Sequence, residues 1–290
     1  MEPETDPAMP LVFTRYLYPK EMVMHSLFLS ILDKNVEEAL FWGYELYYSG
    51  YQQYVFDFLL QIYETIYLSM NKQCVTDYVR ELYEKTEDDS VLGILIMTIS
   101  TRPYSIGKFI EDNFNVKCSS NVEQHDANAK QENRFLKIKS FDPTNYWTIE
   151  LSETNGELNK GYRILRCACE YMLKTQYKDL FKTTEYDFLD CLRNHWLYYA
   201  FDCPLWNQRI LEYGGRKCDV KRDVVFDDEN KAEEFYNRYN LEPDEQSLEI
   251  QHRCVGNPDI KQLSIKDFSK QYGGNIVLKI KKKISLSLSV

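Results

Sequence analysis

ALFWGYELYYSGYQQYVFDFLLQIYETIY, residues 39–67, is the stretch whose reading decides the fold. Eleven of the 27 residues from Phe41 to Tyr67 are aromatic, and nearly all of them fall at helical spacing on two successive segments. On the first, Val36, Ala39, Leu40, Gly43, Tyr44 and Tyr47 follow the i, i+3, i+4 pattern of a helix face. Phe41, Trp42, Leu46 and Tyr48 widen the apolar arc well beyond the ~100° stripe of a surface helix. Only Glu37, Glu38 and Glu45 remain as a polar strip, so this helix is expected to be the most enclosed element of the first half. Asn35 followed by Glu38 has the form of a capping box. Ser49-Gly50 reads as its stop, because glycine tolerates the left-handed conformation that ends helices. From Tyr51 to Met70 the next segment keeps the helical period throughout.

Working outward, Pro19 suits the start of a helix whose apolar face is Met24, Leu27, Phe28, Ile31 and Leu32. A fourth helix uses Val75, Tyr78, Val79, Leu82 and Tyr83. Val91 to Ile99 is apolar nearly all round and predicts a central helix ended by Thr101-Arg102-Pro103. A short helix with Ile106, Phe109 and Ile110 follows. Links of a few residues predict antiparallel packing, as in bundles and helical-repeat arrays. Glu45-Leu46-Tyr47 recurs as Glu81-Leu82-Tyr83, but three residues do not make a repeat, and a plain bundle is the better reading.

Residues 116–133 are polar and aperiodic, and read as a linker or long loop. Beyond it the pattern is less regular. Short strands are expected at Phe135 to Phe141 and Tyr146 to Leu151. Helices are expected at Lys160 to Tyr177, Thr184 to Phe201, Pro204 to the Gly214-Gly215 stop, and Asp228 to Tyr239. The last segment, 276–290, carries a basic run and then ISLSLSV, which alternates at strand period and is expected to pair with a sheet edge. The fold class is therefore mainly α. An acidic antiparallel helical domain (1–115) precedes a linker or loop (116–133), a mainly helical mixed domain (134–275) and a tail (276–290).

The formal net charge of −10 lies entirely on the first half: 18 acidic and 8 basic residues through Asn115, against 27 of each beyond it. Such a half repels a phosphate backbone at long range. The acidic, proline-broken MEPETDPAMP does not have the form of a signal peptide. No apolar run approaches the roughly 20 residues of a membrane span. The eight cysteines have no framework spacing, which predicts reduced thiols and an intracellular protein.

The string ALFWGYELYYSGY resembles a segment found in uncharacterised proteins of large double-stranded DNA viruses of eukaryotes. The resemblance covers about residues 35–67. It implies a viral context, in the host cytoplasm (the virus factory) or in the virion, and it brings no activity and no catalytic residues.

Signatures of catalysis are few. Gly107-Lys108 lacks the glycine-rich loop before it, and Phe109 stands where a P-loop has Ser or Thr. Neither a zinc-protease helix motif nor a nucleophile elbow occurs. Cys191 and His195 are four apart and would share a helix face, with Cys203 and Cys169 as further metal-ligand candidates. Beside Trp196, Tyr198 and Tyr199, core cysteines are the stronger reading, and no metal or other cofactor is expected. Arg209, Arg216, Lys217, Lys221 and Arg222 form a locally basic stretch that reads first as a solvated loop and second as a phosphate or acidic-partner contact. Trp42, Tyr44, Tyr47, Tyr48 and Tyr51 are core or interface residues rather than a cofactor or base-stacking site. The expectation is a non-catalytic interaction or structural protein with a protein partner or self-association. An accessory factor in viral nucleic-acid metabolism comes second, and an enzyme with an unrecognised site third.

Overall fold

A strap runs from Pro10 to Pro19 along the start of the first helix, with Phe13 bridged antiparallel to Pro19 and Leu17 held at φ 61°. In this computed structural model the described residues are 10–71, 88–119, 141–149, 161–181, 186–274 and 276–280, with Asp77, Arg80, Glu81, Tyr83 and Glu84. Helix α1, Lys20–Leu32, follows the strap, and Lys34 (φ 58°) turns the chain into α2, Val36–Tyr48. Asn35 caps α2 by accepting from Glu38 N at 3.3 Å. The return arm of the box runs between side chains, Asn35 Nδ2 to Glu38 Oε2 at 3.0 Å.

Gly50 ends the turn after α2 at φ 94°, and a Cβ there would come within 2.6 Å of Pro204 Cβ. Both the dihedral and the space therefore require glycine. Helix α3, Gln52–Ile62, passes into a π turn at Tyr63–Tyr67 and a 3-10 turn at Leu68–Met70. The unbroken period expected to Met70 is thus interrupted, and Ser105 N takes up Ile66 O at 2.9 Å. Of the expected fourth helix, Asp77, Arg80, Glu81, Tyr83 and Glu84 are helical, and the rest lies outside the described residues. The central helix is α4, Ser90–Ser100, followed by α5, Gly107–Asn113. Gly43 of α2 packs directly on Ile96 of α4, a close approach that a side chain would block.

Strand β1, Val116–Ser119, opens the segment expected to be a linker, whose remaining residues lie outside the described ones. After a 3-10 turn at Pro143–Tyr146 comes α6, Gly161–Ala168, and then a 3-10 turn at Lys178–Leu180. Helix α7, Phe188–Ala200, is kinked at His195, and α8 is Pro204–Glu212. Strands β2, Gly215–Cys218, and β3, Asp223–Phe226, form a hairpin where a solvated loop was expected. Helices α9, Glu229–Tyr239, α10, Leu248–Val255, and α11, Ile265–Tyr272, complete the helical set. Strand β4, Val277–Ile280, pairs antiparallel with β1, Val116 opposite Ile280. Residues 281–290, which include the Ser-alternating stretch, lie outside the described residues. The fold is mainly α, with a few short antiparallel strands.

Three expectations need correction. The most enclosed helix of the first half is α1, buried at every position from Met22 to Leu32. Its two serines are satisfied inside: Ser30 Oγ donates to Ser26 O at 2.7 Å, and Ser26 Oγ accepts from Lys174 N at 2.8 Å. The helix expected to reach Tyr177 stops at Ala168, because tertiary partners replace the helical ones: Lys174 N turns to Ser26, and Gln176 O accepts from Leu263 N at 2.6 Å. No strand forms at Tyr146–Ile149; Phe141 and Tyr146 instead stack on Tyr44, at 5.8 and 4.8 Å between ring centres. Residues 135–140 and 150–151 are outside the described residues.

One apolar cluster runs through both halves, from Leu11 to Phe268. Polar contacts follow the same seam. Trp206 Nε1 donates to Thr14 O at 3.1 Å, Phe13 N to Tyr199 O at 3.2 Å, and Leu205 N to Ser49 O at 3.2 Å.

Candidate functional site

Helix α2 is a packing hub. Trp42 and Tyr44 are both 0 % exposed. Trp42 Nε1 donates to Glu38 Oε1 at 3.2 Å. Tyr44 donates to Asp89 O at 2.8 Å and accepts from Gly93 N at 3.1 Å, which ties α2 to α4. Tyr48 donates to Asp89 Oδ2 at 2.6 Å. Tyr47 is buried, and half-buried Tyr51 donates to Asp202 O at 3.4 Å. The supposed polar strip is largely internal too. Glu38 and Glu45 are buried, and Glu45 pairs with Arg15, Nε to Oε2 at 2.9 Å. Most of the aromatic block is thus spent on internal packing, while Phe41, Tyr48, Tyr51 and Tyr54 are half-buried.

The metal-ligand candidates are not brought together. Cys191 is buried, its thiol pushed up by burial, with Arg222 Nη2 at 3.9 Å. His195 leaves helical geometry (φ −140°, ψ 20°), and its Nδ1 lies 3.0 Å from Arg222 O. Cys203 Sγ donates to Ser49 O at 3.2 Å across the seam, and burial pushes this thiol up to about 11. Cys169 faces Cys254 instead. Among the described residues no group of three His, Cys, Asp or Glu side chains is disposed to hold a metal.

The basic candidates sit on and beside the β2–β3 hairpin, most of them with acidic or aromatic partners. Arg216 pairs with Asp227 and Lys217 with Asp202. Arg222 donates to Tyr199 Oη at 2.6 Å, and Arg209 lies over the rings of Trp206 and Tyr239 at 4.9 and 4.6 Å. Lys221 is exposed at the hairpin tip beside Val220. Local ion pairing weakens the field this stretch projects.

A pocket of about 120 Å³ lies where the strap crosses the start of α1. Leu11, Val12, Met22, Met24, Tyr54 and Phe188 supply its apolar wall, and Lys20 and Glu21 its charged groups. Glu21 Oε1 is buried without a hydrogen-bond partner. Burial pushes this carboxyl up to about 7, against the opposing pull of the Lys20 ammonium. Lys20 rests over the Tyr54 and Tyr51 rings at 3.9 and 4.3 Å, and burial lowers its pKa. Tyr54 Oη is occupied by Met24 Sδ at 2.9 Å. Sequence reasoning missed this site. An acidic residue in the first turn of a helix is ordinary dipole chemistry, and only the strap folding over it makes Glu21 unusual.

The chain matches no family model, no curated protein and no solved structure. No helix among the described residues is long and apolar enough to cross a membrane.

Proposed function

We propose that this chain is a non-catalytic protein–protein interaction component that receives a peptide segment of a partner at the α1 pocket. The observation that carries this reading is the pocket's chemistry: about 120 Å³, an apolar wall, and one carboxyl oxygen left without a donor. Pockets for drug-sized ligands span ~300–1,000 Å³, so the room here suits a single apolar side chain. Peptide backbone supplies what remains, an N–H donor within one residue of that side chain. A cationic donor fits less well, because Lys20 already places an ammonium beside Glu21. The pairing of Arg216 and Lys217 with aspartates supports protein over nucleic acid as the partner. The resemblance of residues 35–67 supports a role in a large DNA virus of eukaryotes, in the host cytoplasm or in the particle.

Panning a random peptide library against the purified chain tests the reading. The expected outcome is a set of peptides sharing one apolar anchor, whose binding is lost in Val12→Trp, which fills the pocket, and kept in Lys217→Ala. Salt-dependent binding of single-stranded DNA, lost in Lys217→Ala and untouched by Val12→Trp, would favour the nucleic-acid reading instead.

A further inference from the structure

Cys169 and Cys254 are 85 residues apart in sequence, and their sulfur atoms are 3.2 Å apart. Cys169 closes the last turn of α6, its N–H donating to Leu165 O at 2.8 Å, and Cys254 lies in the last turn of α10. The two backbones are drawn together without help from the sulfurs. Arg253 Nη1 donates to Glu170 O at 2.7 Å and to Cys169 O at 3.4 Å. Among the described residues no other pair of thiols is in contact.

We infer that Cys169 and Cys254 are an oxidation site, joined as an intrachain disulfide when a small or protein disulfide oxidant reaches them. Bond formation brings the sulfurs to ~2.05 Å, a closure of roughly 1 Å that side-chain rotation supplies. The reaction is two exchanges. One cysteine gives up its proton, and its thiolate attacks a sulfur of the oxidant, expelling one thiolate and leaving a mixed disulfide. The second cysteine, deprotonated in turn, attacks the protein sulfur of that mixed disulfide and expels the other thiolate. The protein loses two electrons and two protons, and the oxidant disulfide becomes two thiols.

The fold also decides when this happens. The thiols are 3 % and 0 % exposed. The adjacent Cys169 thiol, and then burial, push the Cys254 thiol well up. Closed, the pair is protected; the oxidant enters during folding or local opening around α10. The bond closes a long loop, which restricts the unfolded chain strongly.

The test exposes the full chain to oxidised glutathione across a gentle urea series, with alkylation and peptide mapping by mass spectrometry. Expected is one cross-link joining the Cys169 and Cys254 peptides, two hydrogen masses below the reduced pair. It should persist in Cys167→Ser, which removes the exposed neighbouring thiol, and raise the melting temperature by several degrees, reversed by dithiothreitol. Alkylation of both cysteines at every urea concentration, or a stable glutathione adduct on either one, would overturn the inference. The wild-type map alone decides this.

Discussion

Arg15 and Glu45 form an ion pair inside the protein, Nε to Oε2 at 2.9 Å, with side chains 5 % and 1 % exposed. Glu45 Oε1 also accepts from Tyr16 N at 3.1 Å, and Arg15 Nη2 donates to Tyr146 O at 2.9 Å. The pair therefore joins the strap, α2 and the turn at Pro143–Tyr146 in one network. Removing one member leaves a buried charge with its main partner gone, a loss of ~3–5 kcal/mol. Arg15→Met and Glu45→Gln are each expected to destabilise the chain by about that much in urea unfolding, and the double variant by less than their sum. Strict additivity would mean the two groups act independently.

Trp42 is fully enclosed by α2's neighbours, with Tyr18 edge-on at 5.0 Å and Phe41 at 4.9 Å. Trp42→Ala is expected to cost ~3–5 kcal/mol, the range for a large buried aromatic. An unchanged urea midpoint would remove Trp42 from the core.

Glu21 sets a pH dependence. Its folded value of about 7 lies above the ordinary 4.5, so the native state holds an extra proton between those values and stability falls as pH rises through them. Glu21→Gln removes the cost of the buried carboxylate. The variant's gain in melting temperature should be larger at about pH 8 than at about pH 5. Equal gains at both would contradict the burial of this carboxyl.

His25 acts in the opposite sense. Burial, and next the Lys174 ammonium, pull its imidazole down to about 3, with Phe181 edge-on at 5.3 Å and Nε2 lacking a partner. The unfolded chain binds the extra proton below about 6.5, so stability is lost as pH falls from there. His25→Phe should lose less stability than wild type between about pH 6.5 and pH 4. Parallel melting curves over that range would contradict it.

Helix boundaries were legible wherever local chemistry sets them. Asn35, Asp228 and the Ser49-Gly50 stop act where the sequence places them. Ser264 and Asp267 form a capping box of the same local kind at the start of α11, a helix absent from the expectations above. What local pattern cannot carry is tertiary substitution. Glu45 reads as solvent-facing until Arg15 arrives from 30 residues away, and Lys174 reads as helical until Ser26 takes its N–H. The pocket was illegible for the same reason, since Leu11, Glu21, Tyr54 and Phe188 meet only in the folded chain.

The socket itself is tested most directly by methyl NMR on chain labelled at methionine, titrated with N-acetyl-leucine methylamide, an apolar side chain flanked by N–H donors. Met22 and Met24 line the pocket, whereas Met70, Met97 and Met172 lie outside its lining. Saturable shifts are expected of the Met22 and Met24 methyl signals, weakened in Glu21→Gln and abolished in Val12→Trp, with Met70, Met97 and Met172 unmoved. Shifts spread over all five of these methionines, out of the seven in the chain, or none at Met22 and Met24 up to the solubility of the probe, would contradict the proposed pocket.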